Sequence, residues 1–409
     1  MLFKPFKALR PVSSYVSKVI SPPYDVVSSA EARQMALGND MSFLHIAKPE
    51  IDFSESIDQY SPLVYQKGAD NLQRLVNDGI LKRDEENSYY VYRITMKNHV
   101  QTGIAGLVSA REYRNGRVRK HEFTLPIKED DRYNQIMALQ AQTGPVLLTY
   151  HVSEKINLLL NEITVRPSLY KVMGPYKTIH EIWIVRDEKI QKELMSAFDS
   201  LSEMYIADGH HRMAAGSRVA EAMKKKENSG DDDKYDGILA VAFADNEMQV
   251  LPYNRVIRDL NGQTLENFIN LIEDNGFDVE PVSCRLNPCR RMEFGMYAEK
   301  KWYRLRYIGT TESDPVSRLD VSILSDNVFN RLLGIKDLRN DKRIAFIGGI
   351  RGLSELEKKV DGGEFKAAFS LFATPVEDLI DVAKSGHVMP PKSTWFEPKL
   401  ADGLLSNVF

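Results

Sequence analysis

The sequence predicts a mixed α/β (α+β) protein in two parts, and three observations carry that reading. Runs such as Tyr89 to Met96, Pro145 to His151 and Ile238 to Phe243 show the two-residue alternation or continuous apolarity of strands. Between them, apolar residues recur at three- and four-residue spacing, the stripe of a half-buried helix. After about residue 258 the texture turns to regular helix and strand units, so the division is read as 1–258 and 259–409.

In order, the opening carries Pro5, Pro11 and a Pro22-Pro23-Tyr24-Asp25 turn, then a short helix near Ser28 to Leu37. An amphipathic helix runs from about Asp58 to Asn77 and is stopped by Asp78-Gly79. Strands follow at Tyr89 to Met96 and Gly103 to Tyr113, with Asn115-Gly116 as a turn between strands. A helix from Lys128 to Ala141, a strand at Pro145 to His151, a strand at Ile182 to Val185 and a helix before Leu201 come next. The charged run Lys224 to Lys234 reads as a solvated loop. The second part alternates: helix Thr264 to Asn275, strand Lys301 to Tyr307, helix Val321 to Leu333, strand Ile344 to Ile347, helix Leu353 to Val360, strand Ala367 to Phe372, helix Pro375 to Lys384.

Composition excludes several classes. With 54 basic against 57 acidic residues the net charge is −3, which gives no electrostatic reason to expect nucleic acid. No apolar run approaches the roughly 20 residues that span a bilayer, and the N-terminus lacks a secretion signal, so a cytoplasmic protein without a membrane partner is expected. Cys284 and Cys289 form a C-x4-C pair with no nearby histidine, a poor zinc site; no structural zinc, haem or flavin is expected.

The most informative stretch is Tyr205-Ile206-Ala207-Asp208-Gly209-His210-His211-Arg212. The apolar run suits the end of a buried strand, and Met213, Gly216, Val219, Ala220 and Met223 fall at helical spacing after it. Asp208 is placed as N-cap. The free first-turn amides, the helix dipole and the residues His210, His211 and Arg212 then make an anion site. Adjacent helical positions diverge by about 100°, so His210 and His211 do not chelate one metal.

The chain resembles the uncharacterised family called domain of unknown function 1015. The likeness lies in Lys4-Pro5-Phe6 with Arg10-Pro11, Pro22-Pro23-Tyr24-Asp25-Val26, Lys120-His121-Glu122, Asp130-Asp131-Arg132, Ala207 to Arg212, and Met389-Pro390-Pro391-Lys392-Ser393-Thr394 through Pro398-Lys399. More distantly, the Asp208 to Arg212 motif is similar to the phosphate motif of the ParB-like and sulfiredoxin-like fold, in the form found in free-serine kinases. That resemblance implies a ParB/sulfiredoxin-like core with large N-terminal and C-terminal elaborations. It also implies that Glu122, in the His121-Glu122 dipeptide, is the catalytic base.

Under that reading Asp208, Gly209, His210, His211 and Arg212 bind the phosphates of ATP or ADP. Asp208 touches Mg through a water, and Glu122, beside His121, takes the proton of a hydroxyl amino acid such as serine. Arg119, Lys120 and Lys392 are candidate contacts to an acidic substrate. Two other classes stand beside the kinase: a nucleotide- or phosphate-binding regulatory module without turnover, and a DNA-associated ParB-like protein. The charge balance weighs against the last, and homo-oligomerisation is left open.

Overall fold

The computed structural model describes residues 1–227, 235–310 and 313–409. The chain is mixed α/β and divides into two compact units. One is Met1–Met248 with Pro398–Phe409; the other is Gln249–Glu397. The sequence reading drew a single boundary at 258 and gave the whole tail to the second part. By compactness the chain crosses over at Gln249 and returns at Pro398.

The first unit is built on a mixed nine-stranded sheet. Eight strands are labelled here: β1 (Tyr89–Met96), β2 (His99–Ser109), β3 (Val118–Arg119), β4 (Val146–Tyr150), β5 (Tyr170–Met173), β6 (Ile179–Val185), β7 (Met204–Asp208) and β8 (Gly237–Ala244). They run in the order β3-β7-β4-β8-β2-β1-β6-β5, and Phe3–Lys4 pairs with β2. Its helices are α1 (Pro62–Asn77), α2 (Pro126–Leu139), α3 (Glu154–Thr164), α4 (Glu188–Asp199) and α5 (His210–Glu227). The apolar stripes of α3 and α4, including Ile156, Leu160, Leu194 and Phe198, join Tyr89, Val91, Leu148 and Ile206 in one buried cluster. Tyr90 and Tyr92 point to the opposite face of β1 and are buried there too, Tyr92 hydrogen-bonded to His180 Nδ1 at 2.7 Å. Burial on both faces removes the polar side that a half-buried strand would show.

Several boundaries move for local reasons. The first long helix starts at Pro62 because Ser61 caps it, its hydroxyl accepting from Leu63 N–H, and Pro at N1 suits a first turn. The strand expected to reach Tyr113 stops at Ser109, whose hydroxyl accepts from Glu112 N–H and opens the helix Ala110–Arg114. Asn115-Gly116 therefore links that helix to β3, not one strand to another. The helix expected to end as a loop at Lys224 continues to Glu227; residues 228 to 234 of that expected loop lie outside the described residues. In the second unit, Val321 to Leu333 is not one α-helix: Asp320–Leu324 is α-helical and Ser325–Asn330 is a π turn.

A second, four-stranded sheet runs Leu81–Arg83, Ala8–Pro11, Ser406–Val408, Ala141–Gln142. It fixes residues 398–409 within the first unit.

The second unit carries a six-stranded antiparallel sheet with its own core. Its strands are β9 (Tyr253–Ile257), β10 (Phe277–Val282), β11 (Glu293–Ala298), β12 (Lys301–Tyr307), β13 (Ile344–Gly348) and β14 (Ala367–Leu371), in the order β10-β12-β11-β14-β9-β13. Val256, Tyr297, Trp302 and Ala368 pack with Leu356 and Phe365. Among the described residues no helix is long and apolar enough to cross a membrane.

Candidate functional site

Strand pairing assembles the site. β3 and β7 run parallel, with Val118 opposite Met204 and Arg119 opposite Tyr205, so both chains leave the sheet at the same end. The Lys120-His121-Glu122 segment therefore emerges beside the Asp208 to Arg212 turn. On its other side β7 pairs with β4, and the register slips between Ile206 and Asp208. Gly209 then takes φ +93°, and a Cβ there would lie 3.1 Å from Arg212 Nε. Only glycine meets both demands.

The helix begins at His210, and Met213 N–H donates to the Gly209 carbonyl at 2.9 Å. The cap position is thus Gly209, not Asp208 as expected. Asp208 is the last strand residue, and its carboxylate accepts from Gly209 N–H at 2.9 Å and from Lys399 Nζ at 3.0 Å. Arg212 lies at 4.0 Å. Burial alone would raise the Asp208 carboxyl; the Lys399 and Arg212 cations outweigh it and hold the pKa well below the carboxylate range.

Both histidines of the turn lean toward the 121–125 segment. His210 is buried; its Nε2 accepts from His121 N–H at 3.4 Å, and the two rings meet edge to face at 4.4 Å. An accepting Nε2 leaves the proton on Nδ1, which faces Glu122 Oε2 at 3.7 Å. His211 Nε2 likewise accepts from Leu125 N–H at 3.1 Å. Burial pushes His121 down to about 4 and His210 well below its ordinary value, so both rings are neutral at pH 7. The Nε2 atoms of His210 and His211 are both acceptors already engaged by backbone N–H groups.

Arg212 is buried and turned inward. It donates to the Pro145 carbonyl at 2.5 Å and to Asp25 Oδ2 at 3.4 Å, while its buried Nε has no hydrogen-bond partner among the described residues. Beside it is a small pocket of about 30 Å³ lined by Tyr24, Arg132, Gln142, Arg212 and Asp402, enough for a water or two and too small for a nucleotide. Arg132 stacks on the Tyr24 ring at 3.7 Å and pairs with Asp131 at 2.8 Å. Asp402 is buried, its Oδ1 unpartnered; burial pushes its pKa up to about 7, opposed by Arg212 and reinforced by Asp25.

Five of the resemblance motifs therefore meet at one place: the Tyr24-Asp25 turn, His121-Glu122, Arg132 of Asp130-Asp131-Arg132, the Asp208 to Arg212 turn and Pro398-Lys399. The side chains of Asp25, Asp208 and Glu122 are 34%, 29% and 38% exposed and form the open side, with Arg212 and Lys399 behind. Two other expected residues have different settings. Arg119 makes a bidentate pair with Glu203 at 2.7 and 2.8 Å, and Lys392 belongs to the second unit. Lys120 is exposed. Sequence reasoning missed Asp402, whose Leu400-Ala401-Asp402-Gly403 context reads as an ordinary turn.

Among the described residues no group of three or more His, Cys, Asp or Glu side chains is placed to hold a metal ion. Asp208, the expected indirect Mg contact, already carries Lys399 and Gly209. These residues do not fit a metal site.

Residues 3–322 match the family described as protein of unknown function (DUF1015). No curated protein matches. Among solved structures, a free serine kinase mutant in complex with AMP is 14% identical, covers 73% of this chain and 91% of its own, and has a TM-score of 0.35. A conserved hypothetical protein from Pyrococcus furiosus is 15% identical, with 73% and 93% covered and a TM-score of 0.34. SbnI with a C-terminal truncation, from Staphylococcus aureus, is 8% identical, with 74% and 87% covered and a TM-score of 0.35. Likeness at this level carries no argument about chemistry.

Proposed function

This chain belongs to the DUF1015 family, and we propose that its first unit is a nucleotide-dependent small-molecule kinase acting on a hydroxyl acceptor such as free serine. One observation carries the reading. The parallel β3–β7 pairing puts the Glu122 carboxylate 3.7 Å from His210, on the open side of a strand-to-helix turn. A base and a phosphate-binding turn are thus within reach of one acceptor. The resemblance of the Asp208 to Arg212 motif to that of ParB-like kinases supports the same assignment.

In this reading the terminal phosphate of ATP or ADP lies against the first-turn amides of α5, where the helix dipole favours negative charge. Lys399 and the unpartnered Nε of the Arg212 guanidinium lie behind the turn as charge-assisted donors. The acceptor hydroxyl gives its proton to Glu122 and its oxygen bonds to the terminal phosphorus. The bond to the bridging oxygen breaks, and the shortened nucleotide leaves. The pocket beside Arg212 excludes the nucleoside, so base and sugar lie outside it.

The test is phosphorus NMR of the full chain incubated with ATP or ADP and a panel of hydroxyl amino acids. A phosphoester is expected. Glu122→Gln should keep nucleotide affinity by calorimetry and lose turnover by about 10²–10⁴-fold, the usual contribution of a general base. Undiminished turnover in E122Q would remove Glu122 from the mechanism. A second reading has its own support: Arg212 and Lys399 already face Asp25 and Asp208, so the turn carries little excess positive charge. Nucleotide binding with no product from any acceptor would favour that reading, a regulatory module without turnover.

A further inference from the structure

Two sequence stretches have no part in the reading above, Leu251-Pro252-Tyr253-Asn254-Arg255 and Met389-Pro390-Pro391-Lys392-Ser393-Thr394, and the second unit brings them together. Arg255 sits on β9, inside the sheet between β13 and β14, and is 0% exposed. Its guanidinium donates to the Tyr253 carbonyl and, at 3.0 Å, to the Lys392 carbonyl. The Phe346 ring lies 5.5 Å away.

Among the described residues Nε has no hydrogen-bond partner. A guanidinium has five N–H donors, so with two engaged, three lack an acceptor among the described residues. No carboxylate among them is within ion-pair distance either. A buried charge without a counter-charge is strongly unfavourable, and native folds seldom keep one without use. Burial accordingly pushes the Arg255 pKa down to about 9.

The loop that faces this group is held firmly. Ser393 donates to the Pro390 carbonyl at 2.6 Å, and its own carbonyl accepts from Thr374 at 2.9 Å. Lys392 takes φ +60°, a left-handed backbone that costs energy for a residue with a side chain, and this turns its carbonyl to Arg255. Its ammonium lies 5.6 Å from the Tyr253 ring centroid, and Lys392 is exposed. One buried cation on β9 and one exposed cation on the loop are thus tied together through the Lys392 carbonyl.

We propose that the second unit holds a binding site for a small oxyanion, formed by the Arg255 guanidinium and the Lys392 ammonium. The planar fork of arginine matches a carboxylate or a phosphate, and the ligand approaches from the side of Lys392. This site is independent of the turn at Asp208 and would stand if the kinase reading fell.

Hydrogen-exchange mass spectrometry of the full chain tests it, with inorganic phosphate in one arm and malonate in the other. One of the two should slow exchange in residues 389–396, and the anion that acts at lower concentration gives the ligand class. Lys392→Gln, an exposed change that leaves the fold intact, should weaken the effect at least several-fold, and Arg255→Met should abolish it. Slowed exchange at 208–213 reports the first unit separately, so the two sites fail or succeed independently. Absence of slowing at 389–396 with either anion would overturn the proposal, as would slowing that persists in both variants.

Discussion

Arg212 in the first unit and Arg255 in the second are both buried guanidiniums, and their surroundings drive them in opposite directions. Burial disfavours the charge in each case. Around Arg212, Asp25 and Asp208 outweigh that cost and raise its pKa above the ordinary arginine value. Around Arg255 the described residues offer two backbone carbonyls and the Phe346 ring but no carboxylate, and burial takes the pKa down to about 9. The first unit has balanced its charges internally, whereas the second has left one for a ligand to balance. Burial therefore says little about an arginine's role until its counter-charges are counted.

Substitutions can break this contrast. The largest effect is expected from Arg212→Met, which leaves Asp25 and Asp208 near Asp402 with Lys399 and Arg132 as the remaining close cations. Removing one partner of a buried pair costs about 3–5 kcal/mol, and the partial exposure of Asp25 and Asp208 argues for the lower end. Urea denaturation would read it. Arg255→Met should go the other way without added anion: replacing an uncompensated buried charge by an apolar side chain is neutral or stabilising by up to about 1–4 kcal/mol. If R255M instead destabilises as strongly as R212M, Arg255 is a structural clamp on its two carbonyls.

The smallest effect concerns pH. Asp402 has a folded pKa of about 7, above its unfolded value near 4, so between these pH values the folded state holds a proton that the unfolded state has released. Its contribution to stability is thus fully present below about pH 4 and is lost as pH rises to about 7. Asp402→Asn should remove this fall and gain about 2–3 kcal/mol over the parent at about pH 8 relative to about pH 5. Parallel stability–pH curves for the two proteins would show that Asp402 titrates normally.

What was legible in the sequence is what is local. The apolar run before Asp208, the glycine after it and the helical stripe beyond are all within twenty residues, and the turn stands where they put it. The cap was misplaced by one position because periodicity cannot show that Gly209 adopts φ +93° while Asp208 remains in the strand. Lys399 could be read as a cation but not as the partner of Asp208, 191 positions away. The same holds for Asp402, and for Arg255 and Lys392, whose meeting depends on strand order. Hydrophobic patterning fixes which face of an element is buried; it does not say which distant side chain shares that face.

The strand Ser406–Val408 has a consequence for how the protein is made. It lies between Ala8–Pro11 and Ala141–Gln142, so these two early strands lack their common neighbour until the ribosome has passed residue 408. All of Gln249–Glu397 is synthesised in the interval. From Gln142 to Val408, at about 5–20 residues per second, the delay is roughly 13–53 s. During this time the second unit, contiguous in sequence, is free to fold while the first waits with open strand edges. Translation speed across the second unit thus sets how long a nascent first unit is exposed to mispairing.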